Sequence, residues 1–135
     1  MSYLLDTGFL YALLNNREPE HSAIVEVIRS IHSDIILPIP VITEIAYLLK
    51  RDLGTEAAAD FIASLSSTPL RLLVPEPDDY QRAAELMRQY ADANLDFVDA
   101  LIAALAERLN IRHILTLDQR DFRLIRPRHC DAFEI

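Results

Sequence analysis

Four acidic residues stand where apolar sequence meets or surrounds them: Asp6 in SYLLDT, Glu44 in PVITEIAYLL, Asp99 in NLDFVDALIAALA and Asp118 in HILTLDQRDF. None has a lysine beside it. Half-buried carboxylates that converge without cationic partners repel one another, so they take up protons or hold a metal ion. An acid-only set of oxygen ligands suits a hard, hydrated divalent cation, Mg²⁺ or Mn²⁺, whereas zinc recruits His or Cys. The four histidines, His21, His32, His113 and His129, show no paired ligand spacing.

Each acid also has a structural reading. Asp6 can cap a helix beginning near Gly8, and Asp118 a short turn before Phe122, because Asp favours N-cap positions strongly. Asp96 lies one helical turn before Asp99 and reads first as an N-cap, since Asp-x-x-Asp before an apolar run is a capping pattern. At i, i+3 it can also face the same pocket as a further metal ligand. Glu44 is harder to assign to structure: it sits among Val41, Ile42, Ile45 and Ala46, and Leu48 rather than a cation occupies i+4. Asp52, Asp60 and Asp121 read as solvated surface charges, and His113 and His129 as surface residues flanking the last strands.

The elements that must position these acids alternate along the chain. Residues 3–5 form a short apolar strand, followed by a helical pattern in Phe9, Leu10, Leu13 and Leu14 that breaks at 15–19. A second amphipathic segment spans 21–32, with Ile24, Val27, Ile28 and Ile31 at helical spacing. DIILPIP reads as a buried strand stopped by proline. A helix over 41–51 follows, ended by Gly54 in a left-handed cap, and then a helix from Thr55 to Ser66 opened by a Thr cap. LRLLVPEP is the third strand, 78–90 an amphipathic helix, 94–109 an alanine-rich helix able to sit close to a sheet, and RHILTLD the fourth strand. The tail near Leu124, Ile125 and Phe133 can add a last edge. Short apolar strands alternating with helices predict a three-layer α/β/α fold with a central parallel sheet of four to five strands. If the first and fourth strands are neighbours, all four acids can point into one crevice beyond the carboxyl ends of the strands.

Composition bounds the functional classes. At 135 residues the chain reads as one domain, 1–135, with enough apolar sequence, 51%, to bury a core. One cysteine, Cys130, cannot form an internal disulfide, and the N-terminus opens into a strand-like segment with no charged leader, which predicts a cytoplasmic protein. No apolar run approaches the ~20 residues needed to span a bilayer, so no membrane role is expected. The net charge of −8 argues against nonspecific nucleic-acid binding, yet its distribution is uneven. From 108 to 129 six arginines face two aspartates, a balance of +4, whereas residues 1–107 carry 7 basic and 17 acidic side chains, a balance of −10. Such a basic margin, with Arg112, Arg120 and Arg123 as candidate RNA contacts, can grip a polyanion backbone beside an acidic pocket, or simply keep an exposed end soluble.

The segments LLDTGFLYALL, PIPVITEIAYLL and LDFVDALIAALAERLNIRHILTLDQRDF together resemble the PIN domain, and most closely the VapC-type toxin ribonucleases of toxin–antitoxin pairs. The resemblance covers essentially the whole chain, and the four acidic motifs in order at compatible spacing carry it. It implies Asp6, Glu44 and Asp99 as a core acidic triad with Asp118 as the fourth member. Thr116 matches the threonine of the T-x-D signature, whose hydroxyl can steady a carboxylate, and Thr7 matches the hydroxyl residue after the first Asp. Gly8 departs from the small polar residue frequent there.

The implied activity is endonucleolytic cleavage of RNA, a tRNA or rRNA loop, by Mg²⁺ or Mn²⁺ held at these acids, with water as the nucleophile. The implied partners are a cognate antitoxin that occludes the pocket and a second copy in a homodimer. Two rivals stand beside this reading. A receiver-like phosphoacceptor domain also gathers Asp at strand ends but needs a lysine near the last strand, and this chain has only Lys50. A catalytically silent PIN-like interaction module would keep the fold without the chemistry, though silence usually comes with lost ligands.

Overall fold

The computed structural model describes residues 1–130 and 132–135. Four short strands, β1 (Ser2–Leu5), β2 (Asp34–Pro38), β3 (Arg71–Leu73) and β4 (His113–Leu115), pair in parallel in the order β3-β2-β1-β4. The register places Leu4 opposite both Ile36 and Ile114, and Leu5 opposite Leu115. Successive strand residues point to opposite faces, yet Leu4 and Leu5 are both buried, as are Ile36 and Leu37. Both faces of the two central strands are therefore covered, as expected of a parallel sheet whose crossovers are helical.

The helices form two packed groups. One comprises α1 (Thr7–Leu14), α2 (His21–Ser30), α3 (Ile39–Leu53) and α4 (Thr55–Ser64); the other comprises α5 (Pro77–Gln89), α6 (Phe97–Leu109) and α7 (Gln119–Leu124). Every residue of α6 from Val98 to Ala106 is buried. Alanines at 100, 103, 104 and 106 make this possible, since small side chains let neighbouring backbones approach from all sides. At the far end of α6, Arg108 reaches the buried Asp79 of α5 at 2.9 Å, and Arg82 of α5 grips Glu107 through two bonds of 2.7 and 3.1 Å. These pairs tie α5 to α6.

Some boundaries differ from the sequence expectation. The helix expected from 41 begins at Ile39, because Pro40 at a first-turn position lacks only an N–H that would be unsatisfied there anyway. Gly54 has the expected positive φ of 97° but an extended ψ of 175°, so it is not a left-handed helical cap. It both ends α3, donating its N–H to Leu49 and Lys50 carbonyls, and precedes α4. Thr55 is accordingly the first residue inside α4 and makes no side-chain cap. Residues 94–96, expected to open the alanine-rich helix, instead follow a 3₁₀ turn over Ala91–Ala93 and end in Asp96, the N-cap of α6, which begins at Phe97. Leu124 closes α7 rather than an edge strand, and the tail instead forms a single parallel bridge between Glu134 and His113. Among the described residues, no helix is long and apolar enough to cross a membrane.

Candidate functional site

In strand order the chain moves outward from β1 to β2 to β3, then returns to the far side of β1 as β4. The switch falls between β1 and β4, and the crevice beyond their carboxyl ends is where open parallel sheets bind ligands. Asp6 directly follows β1, and its N–H donates to the Leu115 carbonyl of β4 at 3.0 Å. Asp6, Glu44, Asp99 and Asp118, together with Thr7, Gly8, Asp96 and Leu117, line one cavity of about 490 Å³.

Asp6 is the N-cap of α1, with Oδ1 accepting from the Thr7 N–H at 2.7 Å and Oδ2 accepting from the Thr116 hydroxyl at 2.7 Å. The Thr116 hydroxyl in turn accepts from the Asp118 N–H at 2.9 Å. Thr7 uses its own hydroxyl to donate to Glu44 Oε1 at 2.5 Å, so one residue orients two of the acids. Glu44 itself arrives from the second turn of α3, half-buried.

The remaining acids come as two Asp-x-x-Asp pairs. Asp96 is the N-cap of α6, accepting from the Asp99 N–H at 3.1 Å, while the Asp99 carboxyl is buried at the cavity. Asp118 is the N-cap of α7, accepting from the Asp121 N–H at 3.5 Å. Capping and pocket membership are therefore compatible for Asp6, Asp96 and Asp118, because a carboxylate has more lone pairs than a cap consumes. Asp121 corrects the sequence reading. Taken there as a solvated surface charge, it is half-buried, hydrogen-bonds the Asp99 carboxyl, and offers an oxygen within 4.8 Å of those from Asp99 and Asp118. The signal was present in the repeat of the Asp-x-x-Asp spacing, 96/99 and 118/121, which brings the second acid of each pair to the helix N-terminus.

No cation lines this cavity among the described residues, and the charge consequence is large. Burial pushes the Asp6 carboxyl up to about 6 despite its two hydrogen bonds, with Glu44 and Asp118 adding repulsion. Asp99 is raised far above the carboxylate range, first by burial and then by Asp6, Asp96, its bond to Asp121, and Asp118. Such a set of repelling, preoriented oxygens fits a hard divalent cation.

The candidate RNA-binding arginines are spread out. Arg120 and Arg123 are exposed on α7 next to Asp118, whereas Arg112 stands just before β4, at the amino ends of the strands and so at the opposite end of the sheet's strands from the acids. Two further arginines of the basic segment hold the fold: Arg108 pairs with Asp79 and Glu76, and Arg128 reaches Glu85 and donates its N–H to Glu107. The basic margin is thus smaller than the sequence balance implies. His113 is half-buried in a 2.9 Å pair with Glu134, and His129 Nε2 bonds the Ile111 carbonyl at 2.6 Å, so both belong to the tail's attachment.

Comparison with known proteins identifies the family. The model of the PIN domain family matches residues 3–126. Ribonuclease VapC26 of Mycobacterium tuberculosis is 31% identical over 124 residues, covering 92% of each chain. The crystal structure of Mycobacterium tuberculosis VapC20, described as a toxin cleaving the sarcin–ricin loop, superposes with a TM-score of 0.82 at 25% identity, covering 88% of this chain and 92% of that one. VapBC2 from Rickettsia felis, solved bound to a fragment of its promoter DNA, shares the fold at a TM-score of 0.69 and 19% identity over 93% of each chain. By sequence and by architecture, this chain belongs to the PIN domain family.

Proposed function

We propose that this protein is a divalent-cation-dependent endoribonuclease of the VapC type, the toxin of a toxin–antitoxin pair, with residues 1–135 forming a single PIN domain. The observation that carries this reading is the gathering of Asp6, Glu44, Asp99 and Asp118 on one cavity with no cation lining it among the described residues. A 31% identical relative named as a ribonuclease supports it.

Asp6, Glu44, Asp99 and Asp118 would hold Mg²⁺ or Mn²⁺, with Asp96 and Asp121 at the margin. When bound, such an ion acts as a Lewis acid on a phosphodiester and lowers the pKa of water. The chain's own contribution is positional. Thr7 and Thr116 fix Asp6, and Thr7 fixes Glu44, before any substrate arrives, so little reorganisation is left for the reaction itself. Arg120 and Arg123, exposed on α7, would take phosphates of the RNA backbone and orient a strand across the acids without reading its sequence. The substrate class is structured RNA, a tRNA or rRNA loop. A cognate antitoxin would cover the acidic cavity, in keeping with the toxin–antitoxin complexes from Rickettsia felis and Klebsiella pneumoniae that share the fold, and the active form would be a homodimer.

The test is incubation of the purified chain with labelled total RNA in Mg²⁺, in Mn²⁺ and in EDTA, beside Asp6→Asn. The expected result is discrete cleavage with either ion, lost in EDTA and reduced at least about 100-fold in the variant. Cleavage that survives EDTA or the variant overturns the assignment, and RNA binding without cleavage in any ion moves the protein to a non-catalytic interaction module.

A further inference from the structure

Of the eight residues lining the acidic cavity, two carry neither a carboxylate nor a hydroxyl: Gly8, in the first turn of α1, and Leu117, between Thr116 and Asp118. Both are exposed, Leu117 by 43%. Gly8 is one of two glycines in the chain, and the other, Gly54, is explained by its φ of 97°. Among the described residues nothing requires a glycine at position 8. Its backbone is helical without a positive φ, and a Cβ built on it would meet no atom within 4 Å. Glycine in a helix is less stable than alanine, because its backbone loses more freedom on folding. The fold therefore bears a cost here that one methyl group would remove, and breaches of a local rule with no structural return gather at functional sites.

We propose that Gly8 is the clearance over which the ribose–phosphate backbone of the RNA enters the acidic cavity, its missing side chain setting the substrate's access to the metal-binding acids. The inference rests on the ribonuclease reading above and adds to it a residue that governs substrate entry. Charge favours this edge. Five carboxylates line the cavity, those of Asp6, Glu44, Asp96, Asp99 and Asp118, and each ionised one repels an approaching phosphate. Thr7, Gly8 and Leu117 are the uncharged part of the lining, and of these Gly8 alone has no side chain to stand in the way. Leu117 offers apolar contact to a sugar, and α7, which follows it, carries the exposed Arg120 and Arg123 as partners for phosphates. Gly8 also directly follows Thr7, which donates through its N–H to Asp6 and through its hydroxyl to Glu44. A strand crossing at Gly8 thus arrives beside two acids already held in place.

The experiment compares the full chain with Gly8→Ala and Gly8→Leu. Both replacements favour helix more than glycine does, and they differ in the volume they place over the cavity. Three quantities are read: Tm by calorimetry, Mn²⁺ affinity by calorimetric titration, and KM and kcat on an oligoribonucleotide spanning a site that the parent cuts in labelled total RNA. Gly8→Ala is expected to raise Tm by about 1–4 °C. Mn²⁺ affinity should match the parent's in both variants, because no cavity oxygen is altered. Cleavage should fall, kcat/KM dropping about tenfold in Gly8→Ala and about 100-fold in Gly8→Leu, mainly through KM. Stability and cleavage moving in opposite directions is a result that a merely structural glycine does not give. Variants that cleave like a cleaving parent overturn the clearance and leave the ribonuclease reading intact. A Gly8→Ala that melts below the parent assigns the glycine to the fold and overturns the clearance too, as does a Mn²⁺ affinity that falls in step with cleavage, which would place the effect on the acids. A parent that cleaves no RNA in either ion removes both readings.

Discussion

Thr116 is the residue on which the acidic cavity's geometry turns. Buried, it donates to Asp6 and accepts from the Asp118 N–H, so a single hydroxyl joins the end of β1 to the start of α7. Thr116→Val keeps the shape and strands both partners; the expected cost is about 1–3 kcal/mol in a urea titration and a roughly 10–100-fold loss of RNA cleavage. Thr7→Val should leave stability closer to the parent, since Glu44 is only half-buried, and act mainly on cleavage. The raised carboxyls make a pH prediction with a definite sign. A folded Asp6 that holds its proton up to about 6, against 3.8 when unfolded, binds more protons than the unfolded chain between these values, so stability of the metal-free protein falls as pH rises through this window. Asp99 acts in the same direction and carries the fall to higher pH. Asp52, held down to about 2 by Arg51 and Tyr11, has completed its opposite contribution below that window. Calorimetry of the EDTA-treated chain should therefore show Tm declining from pH 4 to neutrality. At neutral pH Asp6→Asn should melt higher than the parent without metal, with Mn²⁺ reversing the order; a parent Tm that rises steadily over the same range contradicts the charge reading.

Among the elements, α6 carries the heaviest demand, since it is buried almost all round and still delivers Asp99 at one end and Arg108 at the other. Ala103, fully buried, has no room to grow, and Ala103→Leu is expected to cost about 1–3 kcal/mol by overpacking. Arg108→Leu would leave the buried Asp79 carboxylate without its cation, a loss of about 3 kcal/mol visible as a lower denaturation midpoint and expected to spare metal binding at the distant cavity. The turn between α3 and α4 depends on Gly54, whose positive φ excludes an ordinary side chain even though a Cβ there would meet nothing within 4 Å. Gly54→Ala is thus a pure backbone test, with an expected loss of about 1–2 kcal/mol and no change in cleavage per folded molecule. Helix existence at α2, α3, α5 and α6 was legible from apolar spacing. The start of α6 at Phe97 rather than Asn94 was not, because Asn94 takes the αL conformation that closes the preceding 3₁₀ turn, a choice that apolar spacing does not record.

For the whole molecule, the deciding step is the return of the chain from β3 at one edge to β4 on the other side of β1. It brings Asp118, from the last third of the chain, beside Asp6 and joins an α1–α4 group to an α5–α7 group across one sheet. The tail closes the far side: Phe133 packs edge-on against the fully buried Phe122 of α7, and Glu134 bridges to β4. Phe133→Ala should cost about 3 kcal/mol and, because Phe122 anchors the helix that begins at Asp118, should also weaken Mn²⁺ binding measured by calorimetric titration.

What the sequence determined by itself were the local facts: which residues form strands and helices, that the sheet is parallel, and which four acids stand in the family's order. Period, caps and apolar runs are properties of neighbours along the chain, and Asp6, Asp96 and Asp118 as helix caps needed nothing more. Only the tertiary structure decided which charges are paired and which are left facing one another. Arg108 and Arg128, part of a basic run on paper, are used up between α5, α6 and the tail, while Asp121, read from sequence as a solvated surface charge, turns toward Asp99. The physical reason is that a charge's neighbours and its burial are set by contacts between residues far apart in the chain, and the sequence pattern carries no direct record of those distances.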